Sequence, residues 1–89
     1  MQWINVKDRL PEQLQEVAIT FLNHEPEPYY SGIKDVTLQG FAVYYRGNWH
    51  WWSSVTVDML AEYGDRYRSE RLDAALEVIA WAEIQPYEG

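Results

Sequence analysis

Residues 40–52 constrain the fold more than any other part of this chain. Two runs rich in aromatic residues, 41–45 and 49–52, flank the polar stretch Arg46-Gly47-Asn48. A Gly-Asn pair between two β-favouring runs is typical of a hairpin turn. The segment therefore predicts a β-hairpin with strands over 36–45 and 49–53.

The alternation of side chains along a strand gives this hairpin two aromatic faces. One face can enter a core, and the other needs a cover or a partner. A small domain needs large residues inside, so we expect Trp49, Trp51 and Trp81 in the core or in an interface between copies. The outer face is expected to carry Tyr44, His50 and Trp52, with His50 at the sheet surface.

Three further segments have the composition of strands. Residues 3–6 form a short strand, and residues 77–84 form a last strand with Ile79 and Trp81 on one face. Residues 17–22 are rich in β-formers and apolar on both faces, which indicates a central position in the sheet. We expect the N-terminal strand to lie beside the C-terminal one and to close the sheet.

One short helix is predicted over 57–62, with Thr56 or Ser54 as its N-cap and Gly64 at its end. Residues 23–35 read as a loop, because Pro26 and Pro28 bar regular pairing. Residues 65–71 mix charges of both signs and are expected in solvent, and the tail 87–89 is expected to be loose. Residues 69–76 fit either a helical turn or an extended approach. The chain is thus a single α+β domain, 1–89, with a small, mainly antiparallel sheet of about four or five strands and one short helix.

Composition excludes several classes of function. The net charge of −7 argues against binding of nucleic acid through its phosphates, which requires a basic surface. The chain has no cysteine, which agrees with a reducing cytoplasm. The start Met-Gln-Trp-Ile lacks the features of a signal peptide, and no apolar run is long enough to span a bilayer. We therefore expect a cytoplasmic protein without a membrane partner.

No pattern of catalytic or metal-binding residues is present. His24 and His50 are the only histidines, and their spacing matches no metal motif. The serines lie in no nucleophile-elbow context, and the glycines are scattered rather than grouped in a phosphate-binding loop. The sequence thus predicts a protein that is not an enzyme and that has no metal or cofactor.

The N-terminal pattern Trp3-x-x-Val6-x-x-Arg9-Leu10-Pro11, followed later by the Ile79-x-Trp81 strand, resembles a family of short phage and prophage proteins. That family is known only as a domain of unknown function, number 551 in its series. This chain has Ala80, Ala82 and Glu83 where the family usually has His before the Trp and Met-Pro after it. The resemblance implies a mobile-element gene that acts inside a bacterial host cell, and it implies no activity.

Our first functional prediction is a binding protein that acts through an aromatic surface, as an oligomer. Aromatic rings stack on bases, and arginine meets phosphate. The predicted partner is a small nucleotide-like molecule of host defence or a host protein. The predicted ligand-binding residues are Tyr29, Tyr30, Tyr44, Arg46, His50 and Trp52.

Two alternatives remain open. Carboxylates at intervals of three to five residues can mimic DNA phosphates towards a basic groove, so the chain is alternatively an acidic inhibitor of a nucleic-acid-binding host enzyme. The residues predicted for that role are Asp58, Glu62, Glu70 and Asp73. In the other alternative, the aromatic residues serve only a structural homo-oligomer.

Overall fold

The computed structural model describes residues 2–85 of the 89-residue chain. Within these residues, five strands and one α-helix make up the fold, which confirms the predicted α+β class with a small antiparallel sheet. Their bounds are β1 (Ile4–Asn5), β2 (Val17–Asn23), β3 (Leu38–Tyr45), β4 (Asn48–Trp51), α1 (Ser54–Tyr63) and β5 (Leu76–Glu83). Two short 3-10 segments, Pro28–Ile33 and Gly64–Arg66, complete the regular structure.

The strand order is β1-β5-β2-β3-β4, and each neighbouring pair is antiparallel. β2 therefore lies at the centre, as its two-sided apolar composition predicts. The N-terminal strand pairs with the C-terminal one, with Ile4 opposite Trp81, as expected. The sheet does not close, because β1 and β4 remain its outer strands.

One face of the sheet, which we call the core face, carries the hydrophobic core. Its buried residues come from all three inner strands: Val17, Ile19, Phe21, Ala42, Val78 and Trp81. Trp49 and Trp51 are partly buried against this cluster, and the Trp51 ring meets Phe21 edge-on at 5.4 Å between centroids. Of the two places expected for Trp49, Trp51 and Trp81, the core or an interface between copies, the structure shows the first, with Trp81 buried in the core and the other two packed against it.

The N-terminal Arg-Leu-Pro stretch packs around Trp81. The indole N–H of Trp81 donates a hydrogen bond of 2.8 Å to the carbonyl of Arg9. The guanidinium carbon of Arg9 lies 5.4 Å from the centre of the Trp81 ring, within cation–π range. The buried indole therefore satisfies its polar group and ties the N-terminal segment to β5.

A β-bulge in β5 changes which residues face the core. Thr20 lies opposite Ala80 and Phe21 lies opposite Val78, so Ile79 is the extra residue between them. Val78 and Trp81 consequently share the core face. The predicted pairing of Ile79 and Trp81 on one face is wrong, because strict alternation does not hold across a bulge.

The hairpin turn consists of Arg46 and Gly47, since Tyr45 and Asn48 already pair. Both turn residues have positive φ, 44° and 87° respectively. This is the pattern of a type I′ turn, whose twist matches that of the flanking strands. The turn therefore lies one residue earlier than the Gly-Asn pair suggests.

Helix α1 begins one residue after its N-cap, Ser53, whose hydroxyl accepts a hydrogen bond of 3.0 Å from the Thr56 N–H. The predicted caps, Ser54 and Thr56, are wrong, because both lie inside the helix. Gly64 ends the helix as predicted. Thr56 and Leu60 lie one helical turn apart and are both fully buried. This side of α1 therefore packs against the rest of the protein.

Residues 69–75 are not helical. Of the two alternatives, a helical turn or an extended approach to the last strand, the structure shows the second. Arg71 forms an antiparallel bridge with His50 on the outer side of β4. The Trp51 N–H donates to the Glu70 carbonyl, and the Leu72 N–H donates to the Trp49 carbonyl. The segment thus covers the edge of β4 before Leu72 and Leu76 pack against the core. The expectation for the tail 87–89 lies outside the described residues.

Candidate ligand-binding surface

Tyr29 and Tyr30 lie in the 3-10 segment Pro28–Ile33, at the end of the sheet where β2 finishes. A bridge between Asn23 and Lys34 joins this segment to the sheet. The Tyr29 side chain is 94% exposed and Tyr30 is 62% exposed. The two rings are therefore free to contact a partner.

Arg46 lies at the opposite end of β3 from these tyrosines. A strand of eight residues spans roughly 26 Å. The Arg46 guanidinium is 5.3 Å from the centre of the Tyr45 ring and 3.6 Å from the Asp65 carboxylate. The fold therefore does not bring Arg46 and the two tyrosines into one cup.

Tyr44 lies on the core face rather than on the outer face predicted for it. It is paired with Trp49 in the hairpin, and their rings meet edge-on at 5.2 Å between centroids. Because the hairpin turn contains two residues, Tyr44 lies directly opposite Trp49. Trp51, two residues further along β4, lies on the same face. Tyr44 and Trp52 thus belong to different faces.

His50 is buried, with 1% of its surface exposed, and not at the sheet surface as predicted. Burial lowers the pKa of its imidazole below the ordinary value, and the positive charge of Arg71 lowers it further. Its neighbour in the chain, Trp52, remains exposed. Of the three residues predicted for the outer face, only Trp52 is therefore accessible there.

The acidic residues proposed for DNA mimicry are all exposed, but they belong to two different elements. Asp58 and Glu62 lie on α1. Glu70 and Asp73 lie in the segment that leads from the edge of β4 onto the core face. The carboxylates therefore do not form one row along a single helix.

A charged cluster around His24 was not predicted from the sequence. Its Nδ1 lies 2.5 Å from an Asp35 carboxylate oxygen, and its Nε2 lies 2.8 Å from one of Glu77. The hydrogen bonds to Glu77 and then to Asp35 raise the pKa of His24. The three residues are 11 and 53 positions apart, so no local pattern reveals them.

Besides the exposed Tyr63 of α1, two exposed aromatic residues near the strands also escaped the sequence-based prediction of the site. Phe41 is 54% exposed and Trp3 is 38% exposed. In the sequence, Trp3 belongs to the N-terminal pattern and Phe41 to the predicted hairpin, and neither position marks a binding residue. Their accessibility depends on which face each strand turns towards the core, and this is fixed by the pairing of distant strands.

Residues 2–85 contain no group of three or more His, Cys, Asp or Glu side chains placed to hold a metal ion. In the same part of the chain, no helix is long and apolar enough to cross a membrane. No protein-family model, curated protein or solved structure matches this chain.

Proposed function

We propose that this protein is a non-catalytic accessory binding protein of phage or prophage type. It recognises a small nucleotide-like molecule or a host protein through exposed aromatic side chains, and so counteracts a host defence. The observation that carries the proposal is the number of large rings left in solvent by so small a fold. They are Trp3, Tyr29, Tyr30, Phe41, Trp52 and Tyr63.

Exposed aromatic side chains raise the free energy of the protein in water, and binding to a partner lowers it again. Each ring leaves a large apolar area in water, and aromatic residues are enriched where proteins contact partners. Trp3 and Phe41 line one cavity, and exposed apolar groups that lie together commonly mark such contacts. The origin in a mobile element and the site of action inside a bacterial cell rest on the resemblance of the N-terminal pattern.

The chemistry of the charged groups supports binding rather than catalysis. His24 is held on both ring nitrogens by carboxylates, and its partners are exposed. His50 is buried beside Arg71, away from solvent. Neither imidazole, among the contacts within residues 2–85, is hydrogen-bonded to a serine or threonine that it would activate.

Helix α1 supports the further proposal that the protein acts as a homo-oligomer. Val55, Met59 and Tyr63 follow one another at intervals of four residues and are all exposed. Residues four apart lie on the same side of a helix. This apolar stripe is suited to packing against a second copy.

The binding proposal is tested with the purified protein in two assays. The first measures thermal shifts against a panel of mononucleotides and dinucleotides, and the second captures partners from lysate of a bacterial host. We expect a partner that is bound by the wild type and by the control Glu12→Gln, and lost in Tyr29→Ala/Tyr30→Ala or in Trp52→Ala. No response in either assay, or a response indifferent to all three aromatic substitutions, contradicts the proposal.

A further inference from the structure

A cavity of about 400 Å³ lies beside the segment that leads from β4 to β5. Its apolar lining consists of Trp49, Leu72, Leu76 and Val78. Val78 belongs to the hydrophobic core, and the other three side chains pack against the core and remain partly exposed. The cavity therefore leads from solvent to the edge of the core, and an apolar group that enters it meets apolar side chains.

A turn over residues 73–76 forms one wall of this cavity. The Leu76 N–H donates a hydrogen bond of 2.9 Å to the Asp73 carbonyl, and the Ala75 N–H donates one of 2.9 Å to the Asp73 carboxylate. The wall is thus ordered by its own hydrogen bonds before a partner binds, which lowers the entropic cost of binding. The side chains in the middle of the turn, Ala74 and Ala75, are single methyl groups and leave the space around them open.

A second cavity, of about 230 Å³, adjoins the first one at the same turn. Asp73 and Leu76 line both cavities. The rest of the second lining comes mainly from the loop after β2 and includes Glu25 and Glu27. We call the two cavities together, from Trp49 to Glu27, the acidic groove.

Three carboxylates line the acidic groove without a basic partner. Glu25, Glu27 and Asp73 take part in none of the ion pairs found within residues 2–85. All three residues are exposed, and the chain as a whole carries −7. The groove therefore attracts cations and repels a phosphate or a free carboxylate.

Among residues 2–85, Arg71 is the only basic one that lines either cavity. It is paired with His50 across an antiparallel bridge, so these two side chains lie on the same side. Trp49 precedes His50 in β4, and its side chain points to the other side. The guanidinium of Arg71 is therefore directed away from the Trp49 ring, and within the described part of the chain it forms no ion pair.

An apolar cavity next to unpaired carboxylates is matched by an occupant that has both an apolar group and positive charges. The carboxylates come from two elements, the loop after β2 and the turn before β5. A protein segment carries several such groups along one chain, since three extended residues span roughly 10 Å. Tyr29, two positions after Glu27, is 94% exposed and offers its ring to a further cation.

We propose that the acidic groove binds a basic segment of a partner protein, with an apolar side chain seated in the larger cavity and lysine or arginine side chains beside Glu25, Glu27 and Asp73. This inference rests on the proposed function, in which a host protein is one of the two partners, and it names the chemistry of that protein. It adds a surface to the proposed function, because none of the three aromatic residues varied above lines either cavity.

The test is a titration of the full ¹⁵N-labelled chain with the synthetic peptide acetyl-Lys-Lys-Phe-Lys-Lys-amide, followed by amide and indole correlation spectra. We expect saturable shifts for the Trp49 indole and for the Leu72 and Ala74 amides. A matched peptide with glycine in place of phenylalanine keeps the charges and lacks the apolar side chain. It should bind at least about tenfold more weakly, because it loses the burial of the phenylalanine ring.

A blocking variant tests the position of the peptide. Ala74 is exposed, and Ala74→Lys places a long, positively charged side chain in the groove. This change should weaken peptide binding at least about tenfold. The control Ala61→Lys adds the same charge at an exposed alanine of α1 and should leave the affinity within about twofold of the wild type.

A second pair of variants tests the charges and remains decisive if Ala74→Lys does not fold. Glu25→Gln/Glu27→Gln keeps the shape of the groove and removes two negative charges, and it should weaken binding roughly fivefold. The control Asp58→Asn/Glu62→Gln removes the same number of charges from α1 and should leave the affinity within about twofold of the wild type.

The outcomes separate this inference from the proposed function. Equal binding of the two peptides, equal weakening in a variant and its control, or no shift with either peptide overturns the acidic groove as the site. Shifts confined to Tyr29, Tyr30 or Trp52 also overturn it and leave aromatic binding in place. The proposed function is decided separately, by the nucleotide panel and the lysate capture with the aromatic variants.

Discussion

His50 and Arg71 lie directly opposite each other across an antiparallel bridge, and each keeps a buried nitrogen that finds no hydrogen-bond partner within residues 2–85. These atoms are Nδ1 of His50 and Nε of Arg71. Burial and then the neighbouring positive charge of Arg71 disfavour protonation of the His50 imidazole and lower its pKa. Asp65 opposes this effect but does not outweigh it.

This arrangement predicts that His50 makes the protein less stable in acid. The pKa of His50 is lower in the folded state than its ordinary value of 6.5 in the unfolded state. As the pH falls through that value, the unfolded chain takes up a proton that the folded chain refuses, so the free energy of unfolding decreases. Urea denaturation of the wild type and of His50→Phe, from about pH 8 to about pH 5, measures the effect. We expect the wild type to lose more stability over this range than the variant, and equal losses contradict the assignment.

The contribution of His24 to stability should change with pH in the opposite direction to that of His50. The carboxylates of Glu77 and Asp35 raise its pKa, so its contribution to stability is fully present below 6.5 and is lost as the pH rises through the raised pKa. An NMR titration of the two imidazoles should give a pKa above 6.5 for His24 and below it for His50. Glu77→Gln should lower the pKa of His24, whereas Glu62→Gln on α1 should leave it in place. An unchanged value in Glu77→Gln shows that the ion pair does not persist in solution.

The N-cap of α1 provides a third prediction. The Ser53 hydroxyl accepts from the Thr56 N–H and lies 2.9 Å from the Thr56 hydroxyl. Ser53→Ala removes the cap and should reduce the free energy of unfolding by about 1 kcal/mol. Ser54→Ala, at the next position and exposed, should change it by no more than about 0.5 kcal/mol. Comparable losses in the two variants argue against Ser53 as the cap.

Gly64 and Gly32 form a matched pair for a fourth prediction. Gly64 has φ 63° and ψ −139°, and a Cβ added there would lie 3.4 Å from the Tyr45 hydroxyl. Only glycine adopts this backbone conformation without strain, so Gly64→Ala should reduce the free energy of unfolding by more than about 1 kcal/mol. Nothing lies within 4 Å of the equivalent position at Gly32, where φ is ordinary. Thermal unfolding of Gly32→Ala should therefore stay close to that of the wild type.

Sequence patterns predicted correctly those elements that depend on residues close together in the chain. The β-forming composition of 17–22 located β2 and its central position, and Gly64 located the end of α1. The cap was misplaced because Ser53, Ser54 and Thr56 all suit that role and only the backbone of Ser53 is extended. Ile79 was misplaced because a bulge depends on the partner strand. These errors are small shifts within elements that were correctly identified.

The candidate site was less predictable than the fold, because it depends on how strands pair. The hairpin register decides that Tyr44 faces the core with Trp49, and it places His50 beside Val43 on the opposite face, where both are buried. Trp3 and Phe41 are 38 positions apart in the chain, and only the pairing of the intervening strands places both on the face of the sheet opposite the core face. A pattern of apolar and polar residues along one strand contains none of this information.

The segment that covers β4 also limits how a partner can attach. An open sheet edge invites the backbone of another chain to add a strand, which leads to aggregation or to peptide capture. The neighbours of Arg71 already occupy one donor, the Trp51 N–H, and one acceptor, the Trp49 carbonyl, along the outer side of β4. At the other edge, β1 offers only two residues. Recognition by this protein is therefore expected to depend on the shape and chemistry of its side chains, and not on main-chain pairing with its target.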